Sequence, residues 1–414
     1  MKILVVTDRF APFHAGGAAR VAVALAHEYR RAGHEVVVAH ASGAPAGSAS
    51  VLEQKIEGFR TRYVAAPMGP RRRGRLSVRN PRALEHLRRI VWDEQPDVAH
   101  AHNVHEAFSF AALEVLAGAQ APTVLTLHDC MTFHQGKFVE VARRPGWETD
   151  DRTLRVTALD LLRRYRFRYV PGRRRRIRAI IERSGARVVA ASGLLRRALA
   201  ANGVPCHGVI HNGVAVEEFQ ASPEAVERLR ARLGLDGRRV VATFGRLTRE
   251  KGQVQILDAM RWVRREVAEA VLLTVGTPPG VLAEGPPLVV GTEPLNGEAL
   301  AAAYGLADVV AVPSVCLDVF PTVALEAMAA GRAVVVSRFA GTSEVVEEGK
   351  TGLIVDPRDV GALAEAVLSL LRDQTGAKRM GTAAQGLVET RFTVERCAEQ
   401  YLELLDEVAR SRGR

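Results

Sequence analysis

Residues 308–337 read DVVAVPSVCLDVFPTVALEAMAAGRAVVVS, and the order of properties along them decides the fold. A β-branched run ends at Pro313 and Ser314, a stretch of small and apolar residues with helical character follows, and Ala333–Ser337 is again β-branched. Strand, helix and strand within some thirty residues make the βαβ unit of a parallel sheet. Outward from this stretch the same kind of run recurs, at residues 3–7, 35–40, 97–102, 123–128, 187–192 and 208–211. A second set lies at 239–245, 270–276, 287–291, 308–314, 333–337 and 352–355. The runs are continuous rather than alternating, as strands buried on both faces require. Helical stripes separate most of them, such as Val21, Leu25 and Tyr29, and near the C-terminus Cys397, Tyr401, Leu404, Leu405 and Val408. Strand and helix alternating twice over predicts an α/β protein of two doubly wound parallel-sheet domains.

Length agrees, since 414 residues are too many for one ordinary core. With 47% hydrophobic and 25% charged residues the chain has the balance of a soluble globular protein. The most apolar stretch, 108–127, is interrupted by Glu114, Gln120 and Pro122, and the N-terminus has four apolar residues before Thr7 and Asp8. Neither predicts a membrane span or a signal peptide, and the expected location is cytoplasmic. Cys130, Cys206, Cys316 and Cys397 lack paired spacing, which argues against a disulfide framework or a cysteine zinc site.

Doubly wound sheets bind ligands beyond the carboxyl ends of their strands. There the chain carries His102, His128 and Asp129, Arg246, and Pro313 with Ser314, while Gly16 and Gly17 follow the first strand. Arg246 and Lys251 stand five apart on a strand-to-helix connection, with Gly252 after them, and suit an anionic diphosphate. Asp318 and Glu326 are eight apart. Phe320, Pro321 and Thr322 lead into the helix holding Glu326, with Pro321 suited to its first position. The N–H groups of Thr322 and Val323 then form an anion site, and Glu326 is placed to accept hydrogen bonds from ribose hydroxyls.

These segments resemble the retaining family-4 glycosyltransferases (glycosyl transferases group 1). The likeness rests on FGRLTREKG (244–252), AAYGLADVVAVPS (302–314), DVFPTVALEAMAAGRAVVVS (318–337) and GTSEVVEEGKTGLIV (341–355). TDRFAPFHAGGAARV (7–21), PDVAHAHN (96–103), VIHNGV (209–214) and RFTVERCAEQYLELL (391–405) extend it collinearly over essentially the whole chain. The resemblance implies a GT-B fold, two Rossmann-like domains facing across a cleft. They would be an acceptor-side domain of 1–217, a nucleotide-sugar donor domain of 218–392, and a helix in 393–414 crossing back to the first. It implies a hexosyltransferase of polysaccharide biosynthesis or a related route, moving a sugar from a nucleotide diphosphate sugar to a glycan, lipid-linked or small-molecule acceptor. Configuration would be retained without a metal or other cofactor, and no Asp-x-Asp metal motif occurs.

Carried over residue by residue, Arg246 and Lys251 would grip the donor diphosphate and Glu326 the ribose. Asp318 would lie near the donor sugar, Gly16 and Gly17 would approach the diphosphate, and His102 would meet a hydroxyl of the transferred sugar. Two positions depart from the family pattern, Asp318 where glutamate is usual and Pro321 where glycine is usual. The alternatives are a GT-B protein that binds sugar nucleotide without transferring it, and a sugar-nucleotide epimerase.

His128, Cys130 and His134 lack a fourth ligand at a fitting spacing and predict no metal site. His128 and Asp129 are instead candidates for the acceptor side. Around Gly16 there is no G-x-G-x-x-G, which excludes the dinucleotide fingerprint of an oxidoreductase.

The net charge of +11 divides unevenly, +15 through Glu217 and −4 beyond it. Arginines concentrate at Arg71–Arg73 with Arg75, and between Arg152 and Arg178, where eleven stand against Asp160 alone. Leu159, Leu161, Leu162, Tyr165, Phe167 and Tyr169 are interleaved with them. The pattern suits either a solvated face or peripheral attachment to an anionic membrane surface, with the run Arg173–Arg176 among its cations. No aromatic stacking pattern accompanies the arginines, so no nucleic-acid partner is expected.

Overall fold

Both sets of runs form parallel sheets in the computed structural model, which describes residues 1–10, 16–41, 51–64, 69, 72–140, 151–278, 280–282 and 288–411. The chain divides into two units. The first comprises Met1–Val139, Gly146–His211 and Val394–Arg414, and the second is built on Asn212–Thr393. The chain thus passes into the second unit at Asn212 rather than after Glu217. The turn Val216–Phe219 belongs there because Phe219 packs edge-on against Tyr304, with ring centroids 5.6 Å apart.

The first unit holds eight strands: β1 (Lys2–Thr7), β2 (Glu35–His40), β3 (Val51–Ile56), β4 (Phe59–Val64), β5 (Val98–His102), β6 (Thr123–Leu127), β7 (Arg187–Ala190) and β8 (Gly208–Val209). Their order is β3-β4-β2-β1-β5-β6-β7-β8, parallel throughout except for β3 on β4. The hairpin β3–β4 is an element that the continuous-run reading passes over. On β4 buried Phe59, Thr61 and Tyr63 alternate with Arg60 and Arg62, whereas β3 carries the polar run Glu53, Gln54 and Lys55. The chain turns through Glu57 and Gly58, both at positive φ (51° and 80°), as a tight hairpin requires. Glu53 and Lys55 on β3 charge the sheet's edge against further pairing.

The second unit holds six parallel strands, β9 (Arg239–Phe244), β10 (Ala270–Val275), β11 (Val289–Thr292), β12 (Val309–Val312), β13 (Ala333–Ser337) and β14 (Leu353–Val355), in the order β11-β10-β9-β12-β13-β14. Each sheet reverses its winding once, between β1 and β5 in the first and between β9 and β12 in the second. Side chains at those carboxyl ends splay around a crevice, the position where ligands bind such sheets.

The C-terminal helix Val394–Arg410 packs on the first unit. Cys397, Ala398, Tyr401, Leu405 and Val408 join Val21, Leu25 and Tyr29 in one buried cluster. Burying a large apolar side chain contributes about 2 kcal/mol, so this stripe alone holds the last helix firmly to the first unit.

Candidate functional site

In the first unit, β1 ends at Thr7, which stands beside His102, the last residue of β5. The loop beyond β1 reaches the helix Gly17–Arg31 through Gly16, its N-cap. Residues 11–15 of that loop lie outside the described residues. Gly16 has φ 109°, ψ 160°, a backbone that side-chain-bearing residues rarely adopt, so glycine is required there. The first N–H groups of the helix, from Gly17 on, lack intrahelical acceptors.

His102 is 1% exposed. Its Nδ1 lies 3.1 Å from His128 Nε2 with the two rings stacked, and its Nε2 is buried with no hydrogen-bond partner among the described residues. Behind it, His100 points to the same face of β5, its ring centroid 3.9 Å away. His100 bonds Tyr29 Oη at 2.9 Å and Thr126 Oγ1 at 2.8 Å, and Thr126 donates to Tyr401 Oη at 3.1 Å. Burial lowers all three imidazoles, His100 to about 3 and His128 to about 4, with His102 well below its ordinary value. They are neutral at pH 7, so His102 is a neutral hydrogen-bonding group rather than a charge.

Asp129 does not share the His102–His128 pair. Its Oδ2 meets His105 Nε2 at 2.8 Å and its Oδ1 accepts the Met131 N–H at 2.9 Å. Burial raises its pKa, but the charge and hydrogen bond of His105 prevail and hold it below the usual carboxylate value. His134 is also elsewhere, bonded to the backbone of Gly136, so His128, Cys130 and His134 form no ligand set.

Sequence reasoning passed over Asp8, one residue beyond β1. It accepts the backbone N–H groups of Glu106, Ala107 and Phe108 at 2.5, 2.8 and 3.1 Å, while burial raises its pKa. Its signal was present, an acid at the end of the first strand of a doubly wound sheet. Glu106 beside it gathers Arg9, Arg73 and Lys137 at 2.7, 2.8 and 2.7 Å.

In the second unit, β9 leads into Gly245, the exposed Arg246 and the short turn Arg249–Lys251. Gly252 has φ 82°, and a Cβ there would lie 1.9 Å from the carbonyl oxygen of Pro313. Only glycine lets the two loops approach this closely, and the approach brings Lys251 Nζ to 2.5 Å from Asp318 Oδ2. Asp318 is 5% exposed and also accepts from Ser314 Oγ at 2.7 Å. Arg246 makes no ion pair among the described residues.

The helix Thr322–Ala329 starts one residue later than the sequence suggests, with Pro321 as its N-cap. A proline there offers no N–H, and the open amides are those of Thr322 and Val323, since Ala324 N bonds back to Pro321 O. Phe320 is buried before it. Glu326, one turn in, is 3% exposed; it accepts from Thr322 Oγ1 at 2.8 Å and Tyr304 Oη at 2.6 Å. Tyr304 is stacked on Phe244 at the end of β9, with centroids 3.7 Å apart. Tyr304 and Ser314 are thus partners that spacing alone did not mark. The unit thus carries, beyond the carboxyl ends of its strands, cations, open helix amides and, one turn along the same helix, a buried, doubly held carboxylate.

The arginine runs separate into surface and framework. Arg71 lies outside the described residues. Arg73 pairs with Glu106. Arg173 is 3% exposed, donating to Met131 O, His134 O and Ser77 Oγ, and Arg174 donates to Val156 O and Asn202 Oδ1. The run Arg173–Arg176 is therefore not a uniform cationic surface, because its first two members stitch loops together. Arg163, Arg166, Arg168, Arg175 and Arg176 are exposed.

Compared with known proteins, residues 15–218 match the family model described as Glycosyltransferase Family 4, and residues 238–373 the model described as Glycosyl transferases group 1. A GDP-mannose-dependent alpha-(1-6)-phosphatidylinositol monomannoside mannosyltransferase of Mycolicibacterium smegmatis is 38% identical over 190 residues, covering 42% of this chain and 49% of the relative. A D-inositol 3-phosphate glycosyltransferase of Corynebacterium urealyticum is 34% identical, over 47% of this chain and 50% of its own length. The chain spans about half the length of these curated relatives. Among solved structures, sucrose-phosphate synthase from Thermosynechococcus elongatus superposes with a TM-score of 0.72 at 21% identity, covering 99% of each chain. Anabaena Alr3699/HepE in complex with UDP-glucose gives 0.69 at 21% identity, over 98% of this chain and 100% of that one. The shared fold is GT-B.

Proposed function

The chain belongs to the family-4 glycosyltransferases, and we propose that it moves a hexose-type sugar from a nucleotide diphosphate sugar to an acceptor, with retention of configuration and no metal ion. The observation that carries this reading is the pairing of Lys251 with the nearly buried Asp318 beside the open amides of Thr322 and Val323. A donor diphosphate would engage Arg246, Lys251 and those amides, and Glu326 would hold the ribose. Asp318, released from Lys251, would face the sugar. In the first unit, Gly16 and Gly17 open a helix N-terminus that suits a phosphate, and the neutral, buried Nε2 of His102 suits a sugar hydroxyl.

In the step itself the acceptor oxygen forms a bond to the anomeric carbon while the bond from that carbon to the diphosphate oxygen breaks. The acceptor's proton passes to the departing diphosphate on the same face. The protein's contribution is charge stabilisation where negative charge grows, a role in which one preorganised donor is worth roughly 10²–10³ in rate.

For the acceptor we favour a glycan or a lipid-linked glycan presented at an anionic membrane, reached peripherally from the cytoplasmic side. Among the described residues no helix is long and apolar enough to cross a membrane. Supporting attachment, the helix Ala158–Tyr165 and the turn after it expose Leu159, Leu162 and Phe167 among Arg163, Arg166 and Arg168. The named relatives act on inositol-based acceptors, which agrees with a phosphate-bearing partner.

The test is a panel of GDP- and UDP-sugars, with hydrolysis and transfer followed by NMR with and without EDTA. One donor should be consumed, with the product keeping the donor's anomeric configuration at an unchanged rate in chelator. An altered nucleotide sugar in place of a glycoside or free sugar would identify an epimerase. Tight binding without any turnover would leave a sugar-nucleotide binding protein.

A further inference from the structure

The helices Pro81–Glu94 and Ala112–Gly118 flank a cavity of about 550 Å³ on the first unit. Trp92, 77% exposed, stands at its edge, and Arg79, Arg88, Gln95, Glu114 and Gln120 line it together with small and apolar residues of the second helix. Gln95 closes the first helix with φ 45° and Gln120 follows the second with φ 56°. Both are left-handed conformations that side-chain-bearing residues disfavour. At a helix C-terminus such a residue is a common closing conformation, and the two helix ends so closed shape the rim of the cavity. Gln95 also ties its side-chain amide to the Trp92 carbonyl at 2.7 Å, fixing the helix end that carries the indole.

The charges around the cavity favour an anion. The Glu114 carboxylate is gripped by Arg79 and, at 2.6 Å, by Arg183. Burial raises its pKa, but the two guanidiniums outweigh that and hold it below the usual range. Arg88 is exposed and makes no ion pair among the described residues. With one acid already neutralised by two arginines, the cavity is left positive.

We infer that this cavity binds a saccharide bearing an acidic group. The indole offers a flat apolar surface to the C–H face of a sugar ring, and the side-chain oxygen of Gln95 can accept from a hydroxyl. Arg88 can take a carboxylate or phosphate with two parallel donors. Gln95 and Gln120 precede β5 and β6, so the cavity lies at the amino ends of those strands. His102 ends β5 and His128 follows β6 at the other end, roughly 15 Å along the strands, which makes the cavity a second sugar site.

Ligand-observed NMR and tryptophan fluorescence on the full chain test this with mannose 6-phosphate, glucuronic acid, mannose and inorganic phosphate. One or both acidic sugars should bind saturably, at least tenfold tighter than mannose, with inorganic phosphate weaker still. Whether the phosphate or the carboxylate sugar prevails identifies the acid. Trp92→Ala and Arg88→Gln, both on exposed side chains, should each weaken that binding about tenfold while leaving donor hydrolysis unchanged. Mannose binding as tightly as the acidic sugars would overturn the proposal, as would binding that survives both substitutions. Concentration-dependent self-association abolished by Trp92→Ala, without sugar binding, would mark the indole as a protein contact instead.

Discussion

Replacing Lys251 with alanine removes a candidate donor contact and strands a carboxylate. Asp318 is 5% exposed, and its remaining side-chain partner would be Ser314 Oγ. Lys251→Ala leaves that nearly buried carboxylate without its cation, so it should lower the melting temperature as well as turnover. The loss is moderated because the lysine side chain is itself 30% exposed. Adding Asp318→Asn removes the stranded charge, and the double variant should regain most of the stability but none of the activity. Arg246→Ala gives the contrast, since its exposed side chain makes no ion pair among the described residues; turnover should fall by roughly 10²-fold with melting unchanged. Thermal denaturation beside donor hydrolysis separates these effects. If the double variant recovered turnover, neither residue would have a part at the diphosphate. Tyr304→Phe removes one of the two hydroxyls on Glu326, and a ribose role for that acid predicts a rise in the donor KM larger than any fall in kcat.

Among the elements, Ala158–Tyr165 and its following turn carry a membrane prediction. Thr157 and Asp160 form a reciprocal capping box that fixes the helix start, and the exposed Leu159, Leu162 and Phe167 stand among arginines. Each basic residue near an anionic surface contributes about 1 kcal/mol, so the chain should cosediment with phosphatidylglycerol vesicles at low salt and release as salt rises. Phe167→Ser with Arg163→Gln and Arg166→Gln should abolish the binding without loss of fold. Substituting Arg173 instead would cut three anchoring hydrogen-bond acceptors and destabilise the unit, an uninformative test. A chain that stays in the supernatant at low salt with anionic vesicles points to an acceptor free in solution. The contrast between Phe167 and Arg173 also marks how far the sequence could be read. Continuous β-branched runs revealed the parallel strands, because burial on both faces leaves no other pattern. The hairpin β3–β4 was hidden because it forms the sheet's edge, where β4 alternates and β3 carries three polar residues in a row, so neither is a continuous apolar run. Arg246, Lys251, Asp318 and Glu326 stood out by spacing. Tyr304 reaches Glu326 from another helix, and Asp8 acts through backbone amides a hundred residues away, so both required the fold. An arginine in a run likewise gives no sign whether it faces water or a carbonyl.

Over the whole molecule, the histidines of the first unit make stability depend on pH. Burial lowers His40 to about 4, His100 to about 3 and His128 to about 4, against ordinary values near 6.5. Because the folded-state values are depressed, the unfolded chain takes up protons first as pH falls. Stability is therefore full above about 6.5 and is lost progressively as pH drops toward 4. At pH 5 each of these groups costs about 2 kcal/mol, a large share of the margin by which any domain stays folded. Asp8 and Glu28 oppose the trend, since their raised pKa values let the folded state bind a proton earlier. These two carboxyls act against several imidazoles and against Glu106 and Asp129, whose values are lowered. The net charge of +11 grows as these groups protonate, adding self-repulsion in the same direction. Circular-dichroism melts from pH 7.5 to pH 5 should therefore show a fall of several degrees. The slope should shrink in His128→Asn, which withdraws one titrating ring. Equal melting temperatures at pH 7.5 and pH 5 would mean that these imidazoles reach solvent in the folded protein and are not the neutral groups that the His102 role requires.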